Sequence, residues 1–97
     1  MTKQDLILND VYRALADPTR RAVLKQLTKG KATCSELAEP FDMALPSFMQ
    51  HIDMLEDHGL IRSKKSGRVR TCEVAPGRLK AAKAWITELQ KLAGVKD

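Results

Sequence analysis

The central part of the chain, residues 33–59, reads TCSELAEPFDMALPSFMQHIDMLEDHG. Thr33 followed by Glu36 matches a capping box, which predicts a brief helix that the next proline must end. After a short turn, Pro46 marks the first turn of a second helix that is predicted to end at a glycine. Three apolar residues share one face of this second helix and are its predicted anchors in the core: Phe48, Ile52 and Leu55. The pattern therefore predicts two consecutive helices joined by a turn.

Beyond these helices the hydrophobic pattern changes from helical spacing to alternation. Residues 61–65 and 68–74 are predicted to form two strands joined by a tight turn at Ser66-Gly67. Residues 62–70 include no acid, whereas a solvated strand pair normally mixes both signs of charge. A run of cations favours contact with a polyanion, and a charged edge that only deters aggregation is the alternative interpretation. The basic residues are Arg62, Lys64, Lys65, Arg68 and Arg70.

Helical spacing of apolar residues also predicts helices on both sides of this region. The first covers residues 4–16, and Asp17-Pro18 supplies the N-cap and first position of another that runs to residue 27 or 28. A last helix follows the hairpin over residues 79–93. The predicted fold class is mainly α with a small β-hairpin. It is a winged helix-turn-helix with five helices and a two-stranded wing, in a single domain over residues 1–97.

Length and composition limit the classes of protein to which the chain can belong. With 97 residues, of which 43% are hydrophobic, it is globular and has room for one small domain. Its 17 Lys and Arg against 12 Asp and Glu give a formal charge of +5, which favours a polyanionic partner. It has no long apolar run and no secretion-signal pattern, so we expect a cytoplasmic protein with no membrane partner.

A brief helix, a turn, a second helix and a basic hairpin are the parts of a DNA-binding module. The second helix of such a pair can lie in the major groove, which is about 12 Å wide, while the first braces it across the backbone. Double-stranded DNA is therefore the expected partner. The alternative is a winged-helix module for protein-protein contact or non-specific chromosome binding, because a fold alone does not fix a function. No phosphate-binding glycine loop or nucleophile with a neighbouring base is found, so no enzyme is expected.

Four short motifs occur in order along the chain: LADPTRR at residues 15–21, ELA at 36–38, MALPSFMQHI at 43–52 and LEDHGLI at 55–61. With these motifs the chain resembles the ArsR/SmtB family of winged-helix repressors over residues 11–75. The resemblance implies a homodimer built on the first and last helices, repression by blocking a promoter, and relief of repression by a signal that the sequence does not identify. Metal-sensing members commonly carry a Cys-x-Cys pair, whereas residues 33–35 here read Thr-Cys-Ser, so a metal-independent branch without a cofactor is expected.

The resemblance also implies which residues contact DNA. Leu45, Ser47 and Gln50 are expected to read bases, with Ala44 and Pro46 close to phosphate where the helix starts. A glutamine amide can bond adenine bidentately, so Gln50 is the strongest candidate for direct readout. Leu45 and Ala44 stand where the family often has a polar residue and a capping serine. The remaining expected contacts are His51, Lys64, Lys65, Arg68 and Arg70.

Some of the possible DNA contacts have an alternative in a purely structural role. For His51 the favoured alternative is a local bond that holds the second helix. Arg20, Thr33 and Ser35 could also donate to phosphates, although the capping role of Thr33 needs no DNA.

The first and last helices carry wide apolar stripes, which favours their burial against a second copy of the chain. Packing of one outer helix against the other within a single chain is the alternative for some of these residues. Two-fold pairing would place the two reading helices about 34–36 Å apart and predicts an inverted-repeat operator. The expected dimer residues are Ile7, Leu8, Val11, Trp85, Ile86, Leu89 and Leu92.

The two cysteines, Cys34 and Cys72, are too few for a disulfide scaffold. The favoured interpretation is that both cysteines are small apolar residues buried in the core, and the alternative is that they form a redox-active pair. The sequence alone does not determine whether the two sulfur atoms come within bonding distance.

Overall fold

A computed structural model describes residues 1–94 and arranges them as five helices and one antiparallel sheet of three strands. The helices are α1 (Lys3–Leu15), α2 (Pro18–Leu27), α3 (Cys34–Ala38), α4 (Leu45–Asp57) and α5 (Gly77–Leu92). The strands are β1 (Ala32–Thr33), β2 (Ile61–Ser66) and β3 (Val69–Val74). The predicted winged helix-turn-helix is confirmed, and the last three residues of the predicted domain lie outside the described part. None of the described helices is long and apolar enough to cross a membrane.

Hydrogen bonds at the helix starts explain where two of the helices begin. The carboxylate of Asp17 caps α2 by accepting from the backbone N–H groups of Thr19 at 2.8 Å and Arg20 at 3.4 Å. Thr33 and Glu36 form the predicted capping box of α3. The Thr33 hydroxyl accepts from the Glu36 N–H at 3.1 Å, and the Glu36 carboxylate accepts from the Thr33 N–H at 2.9 Å. This reciprocal cap stabilises a helix of only five residues, which is too short to persist on its own.

The sheet contains one strand more than the predicted two-stranded wing. β3 lies in the middle, with β2 on one side and β1 on the other. β2 and β3 form the predicted hairpin, called the wing below, while β1 pairs Ala32 with Cys72 and Thr33 with Thr71. A strand of two residues is too short to show alternation in a sequence, so the pattern could not reveal it. Its pairing ties the start of α3 to the wing.

The core holds α4 by one face. Phe48, Ile52 and Leu55 have no exposed surface, so the predicted anchors of α4 are confirmed. Fully burying a large apolar side chain contributes roughly 1.5–3 kcal/mol, so three of them fix the rotation of the helix about its axis. Buried side chains from the other elements complete this core, among them Val11, Val23, Leu37, Leu60 and Cys72.

Gly59 follows the end of α4 and lies against the side chain of Arg78 from α5. Its φ of +80° lies in the left-handed region that favours glycine. A Cβ atom at this position would lie 2.6 Å from Nε of Arg78, near the start of α5. Arg78 donates to the Asp10 carboxylate of α1 at 2.9 Å and to the His58 carbonyl at 3.1 Å. α1, α4 and α5 therefore meet at this point, which connects the outer helices to α4.

Candidate nucleic-acid interface

The face of α4 opposite its anchors is open to solvent. Leu45 is 57% exposed, and Ser47 and Gln50 are also exposed. Ala44 and Pro46 are exposed where the helix starts, and Ala44 provides no side-chain cap. The five residues that the family resemblance placed near bases and phosphates therefore lie together on the accessible side of α4.

The wing carries exposed cations close to its turn. Lys64, Lys65 and Arg68 are exposed, and none of them has an ion-pair partner within the described residues 1–94. The turn between the strands uses Gly67 with a φ of +60°, a conformation that favours glycine. These three cations are available to a polyanion.

Arg70, which is expected to contact DNA, faces α4 in this structure. Its Nε donates to the Ser63 hydroxyl at 3.0 Å, its Nη1 donates to the Asp53 carboxylate at 2.9 Å, and its Nη2 donates to Glu56. Ser63 also donates to Glu56 at 2.6 Å. The reason is alternation along β3, which places Arg70 on the same strand face as the fully buried Cys72. The DNA contact expected of Arg70 stays a prediction, while this structure directs its donors to α4. We call Arg70, Ser63, Asp53 and Glu56 the Arg70 clamp.

Electrostatics strengthen the Arg70 clamp. The hydrogen bond from Ser63, together with the bonds and charge of Arg70, holds the pKa of the Glu56 carboxyl below its ordinary value despite partial burial. Burial by itself would lower the pKa of Arg70, but its bonds to Asp53 and Glu56 outweigh this effect and raise that pKa. With the Arg70 side chain only 23% exposed, both partners stay charged and close together at neutral pH. The clamp thus holds the wing against α4.

Arg20 and His51 connect the end of α1 to α4. Arg20 is buried, and it donates through Nε to the Ala14 carbonyl at 2.7 Å and through Nη2 to the Arg13 carbonyl at 3.0 Å. Its Nη1 lies 3.1 Å from Nδ1 of His51. Because a guanidinium only donates, this contact is a hydrogen bond when Nδ1 of His51 is the acceptor, which leaves Nε2 as the donor of the ring. Arg20, which could have donated to phosphate, is buried and bonds within the fold instead. A DNA contact from His51 stays a prediction beside its structural role.

Comparisons with known proteins agree with this arrangement. A family model described as a helix-turn-helix domain matches residues 15–64. The transcriptional repressor SdpR of Bacillus subtilis is 34% identical over 61 residues, which are 63% of this chain and 68% of SdpR. The HTH-type transcriptional regulator Rv2034 of Mycobacterium tuberculosis is 33% identical over 70 residues, which are 72% of this chain and 65% of that protein. An ArsR family transcriptional regulator of known crystal structure is 55% identical in sequence to this chain. The two structures have a TM-score of 0.91, and the match covers 100% of both chains.

The chain belongs to the ArsR family. It is therefore a DNA-binding transcriptional regulator and not an enzyme. The matched region spans about two thirds of the two curated relatives, 68% of one and 65% of the other.

The outer helices of this ArsR-family chain pack against each other and leave an apolar surface exposed. Val11 has no exposed surface and Leu8 has 8%, so α1 buries both in its own chain and the expectation that they form a dimer contact was wrong. Ile7 is half-buried. Leu6 is 52% exposed and was missed, because it falls outside the apolar stripe that marks the inward face of α1. We call the exposed apolar residues of these two helices the outer patch: Leu6, Trp85, Ile86, Leu89 and Leu92.

Cys34 and Cys72 are free thiols, and both are buried. Their sulfur atoms lie 3.7 Å apart. The third strand causes this proximity, because Cys34 directly follows Thr33, whose partner in β3 is Thr71. The structure thus answers the question of distance that the sequence left open. Within residues 1–94 no group of three or more His, Cys, Asp or Glu side chains is placed to hold a metal ion.

Proposed function

We propose that this ArsR-family regulator is a cytoplasmic homodimeric repressor that binds an inverted-repeat operator, with α4 of each subunit in a major groove. One observation carries the proposal: α4 exposes Leu45, Ser47 and Gln50 while its other face is fully buried. A helix held by one face and bare on the other can enter a groove without rearranging the core.

The exposed residues of α4 differ in the contacts that they can make. The Gln50 amide can bond adenine N6 and N7, and the Ser47 hydroxyl can bond a base or a phosphate. Leu45 can only make apolar contact, for which the thymine methyl group is suited. Since Ala44 offers no capping oxygen, the first N–H groups of α4 remain available to a phosphate oxygen.

The wing adds affinity that does not depend on sequence. Lys64, Lys65 and Arg68 can each neutralise a phosphate and release a condensed counterion. Arg70 is a weaker candidate than these three because the Arg70 clamp engages Nε, Nη1 and Nη2 in bonds to its own chain. Since the clamp links the wing to α4, base and phosphate contacts keep a constant spacing.

The outer patch supports a two-fold dimer. Its five large apolar side chains lie on α1 and α5, away from the anchored face of α4, and a second copy of the same patch would remove them from water. Such a dimer would present two α4 helices to one side of a duplex, about 34–36 Å apart.

Selection of bound fragments from random DNA by the full chain tests the proposal. We expect two inverted half-sites with centres about 10–10.5 base pairs apart, or a multiple of that spacing. In competition at physiological salt the selected site should bind at least ~10³-fold more tightly than random duplex. Equal binding to all sequences would favour the alternative of non-specific chromosome binding, and absence of DNA binding would favour a protein-contact module.

Repression needs a second measurement. Transcription in vitro from a promoter that overlaps the selected site should fall as the protein is added, whereas a promoter with a scrambled site should be unaffected. An increase in transcription at the intact site would contradict the repressor assignment.

A further inference from the structure

We propose that Cys34 and Cys72 are a modification site, at which a hydroperoxide forms a reversible disulfide that lowers the affinity of the protein for DNA. The effect on DNA affinity rests on the proposed function, whereas formation of the bond does not. The geometry that carries the proposal is the contact of the two sulfur atoms at 3.7 Å where α3 meets β3.

The two thiols differ in their access to solvent, which sets the order of reaction. Cys72 has no exposed surface, whereas Cys34 is 9% exposed and lines an open groove of about 760 Å³ between α4 and the wing. A small oxidant can therefore reach Cys34 first. Burial and the neighbouring Cys34 also raise the pKa of the Cys72 thiol, so Cys72 is protonated at neutral pH and is the second thiol to react.

Arg70 lines the same groove as Cys34 and lies two residues before Cys72 on β3. Its positive charge opposes the rise in the pKa of the Cys72 thiol that burial and Cys34 cause. A neighbouring cation stabilises the thiolate, which is the form that attacks a peroxide. The site therefore combines a pair of thiols in contact, one open approach and a fixed cation.

The chemistry balances with the hydroperoxide as the only oxidant. The Cys34 sulfur attacks one peroxide oxygen, the O–O bond breaks, and the alcohol or water leaves with the thiol proton, which yields a sulfenic acid. The Cys72 sulfur then attacks the Cys34 sulfur, the S–O bond breaks, and the hydroxyl leaves as water with the Cys72 proton. The two thiols lose two electrons in total, and the peroxide gains them.

Bond formation must move the elements that position the DNA-contacting residues. The sulfur atoms must approach by about 1.7 Å, from 3.7 Å to the roughly 2.0 Å of a disulfide bond. Because the Cys72 side chain is enclosed by the packed core and Cys34 is the first residue of α3, we expect α3 and β3 to take up part of this change. α3 packs against α4, and β3 holds α4 through Arg70. The disulfide therefore displaces α4 relative to the wing.

Peptide mapping of the full chain tests the bond. After treatment with hydrogen peroxide and alkylation without reductant, we expect a linked peptide containing Cys34 and Cys72 in monomeric chains, and free thiols again after a dithiol reductant. Cys34→Ala should form no bond and should leave Cys72 reduced. Unreacted thiols, over-oxidation of Cys34 without a linked peptide, or bonds only between chains would overturn the site. The wild-type result decides this even where a variant fails to fold.

Affinity for the selected operator tests the effect of the bond. The oxidised wild type should bind at least ~10-fold more weakly than the reduced protein, about the effect of removing one bidentate base contact, with recovery after reduction. Cys34→Ala should bind equally before and after peroxide. Bound operator should also slow the oxidation of Cys34, because DNA would cover the groove. A mapped disulfide with unchanged affinity would overturn the switch alone, whereas a reduced protein that binds no DNA would overturn the proposed function and leave the bond in place.

Discussion

Arg68 and Arg70 lie two positions apart on the wing, yet their surroundings differ completely. Arg68 is exposed beside the turn, whereas Arg70 points from β3 into hydrogen bonds with α4. A cation can bond a phosphate directly only with donors that are free, so removal of Arg68 and removal of Arg70 are expected to have different effects.

Removal of an available cation should weaken binding to every DNA sequence alike. Arg68→Ala leaves one phosphate per subunit without its cation, so the slope of log affinity against log salt should flatten by about 0.9 for each such phosphate. Gln50→Ala should instead relax preference at one base position and leave the salt slope unchanged. Titrations of operator and mutated operators at several salt concentrations measure both effects. Lys80→Ala, which removes an exposed cation from α5, is the control and should change neither. Identical profiles for the Arg68 and Gln50 variants would contradict the proposed division of roles.

Removal of the clamping arginine should destabilise the fold. Arg70→Ala deletes hydrogen bonds to two carboxylates and leaves Glu56 without its cation, for which we expect a loss of about 1–3 kcal/mol in the free energy of unfolding. Arg62→Ala is the matched control on the same hairpin: its pair with Glu73 is exposed, so we expect a change within about 0.5 kcal/mol. Urea unfolding monitored by circular dichroism measures both. Equal changes for the two variants would show that the clamp adds nothing beyond a surface ion pair.

The lowered pKa of Glu56 predicts a specific pH dependence. In the unfolded chain this carboxyl titrates near its ordinary value of 4.5, and in the folded protein it titrates below that value. Its contribution to stability is therefore complete above pH 4.5 and is lost as the pH falls through the folded pKa. The stability difference between wild type and Glu56→Gln should shrink over that acidic range, because the amide does not titrate. Carboxyls outside the Arg70 clamp change equally in both proteins and cancel. A difference that stays constant from neutral pH down to acid would contradict the assignment.

At the scale of elements, α4 combines a structural and a functional face on one helix. The same chemical change on each face should separate the two roles. Leu55→Ala opens a cavity in the core and should cost about 2–5 kcal/mol of stability. Leu45→Ala removes an exposed side chain and should change stability by less than about 0.5 kcal/mol. Thermal and urea unfolding measure the first effect. Operator titration should show that Leu45→Ala binds the operator more weakly and that the loss is tied to the thymine positions of the site. A large loss of stability in Leu45→Ala would mean that Leu45 is packed and does not face DNA.

The elements also show what a sequence pattern can reveal. Periodicity located the four longer helices and the hairpin because each is long enough to repeat its pattern, and it identified Phe48, Ile52 and Leu55 as anchors. The five-residue α3 was located by its capping box instead. Periodicity could not reveal β1, whose two residues have no period, and so it could not place Cys34 beside Cys72. Nor could it show the bonding partners of Arg70, because alternation assigns a residue to a strand face without showing that carboxylates of α4 lie opposite that face. Tertiary partners that are distant in sequence decide such cases.

At the scale of the whole molecule, the outer patch and the exposed face of α4 belong to different helices. Gly59 and Arg78 connect the two regions through the contact of α1, α4 and α5. A dimer formed through the outer patch would therefore fix the relative position of both α4 helices. Full operator affinity would then depend on dimerisation through the outer patch, whereas the exposed face of α4 would not be needed for the dimer to form in the absence of DNA.

A charge placed in the outer patch tests whether operator affinity depends on this dimer. Leu89 is 49% exposed, so Leu89→Asp can be accommodated in the monomer, whereas a carboxylate buried between two subunits has no partner and is strongly unfavourable. We expect sedimentation to show a monomer and the affinity for a full inverted repeat to fall toward that for a single half-site. The thermal midpoint of wild type should rise with protein concentration, while that of Leu89→Asp should not. Leu45→Asp introduces the same charge on α4 and should stay dimeric while losing operator affinity. A Leu89→Asp protein that remains dimeric and binds operator normally would place the subunit interface elsewhere on the molecule.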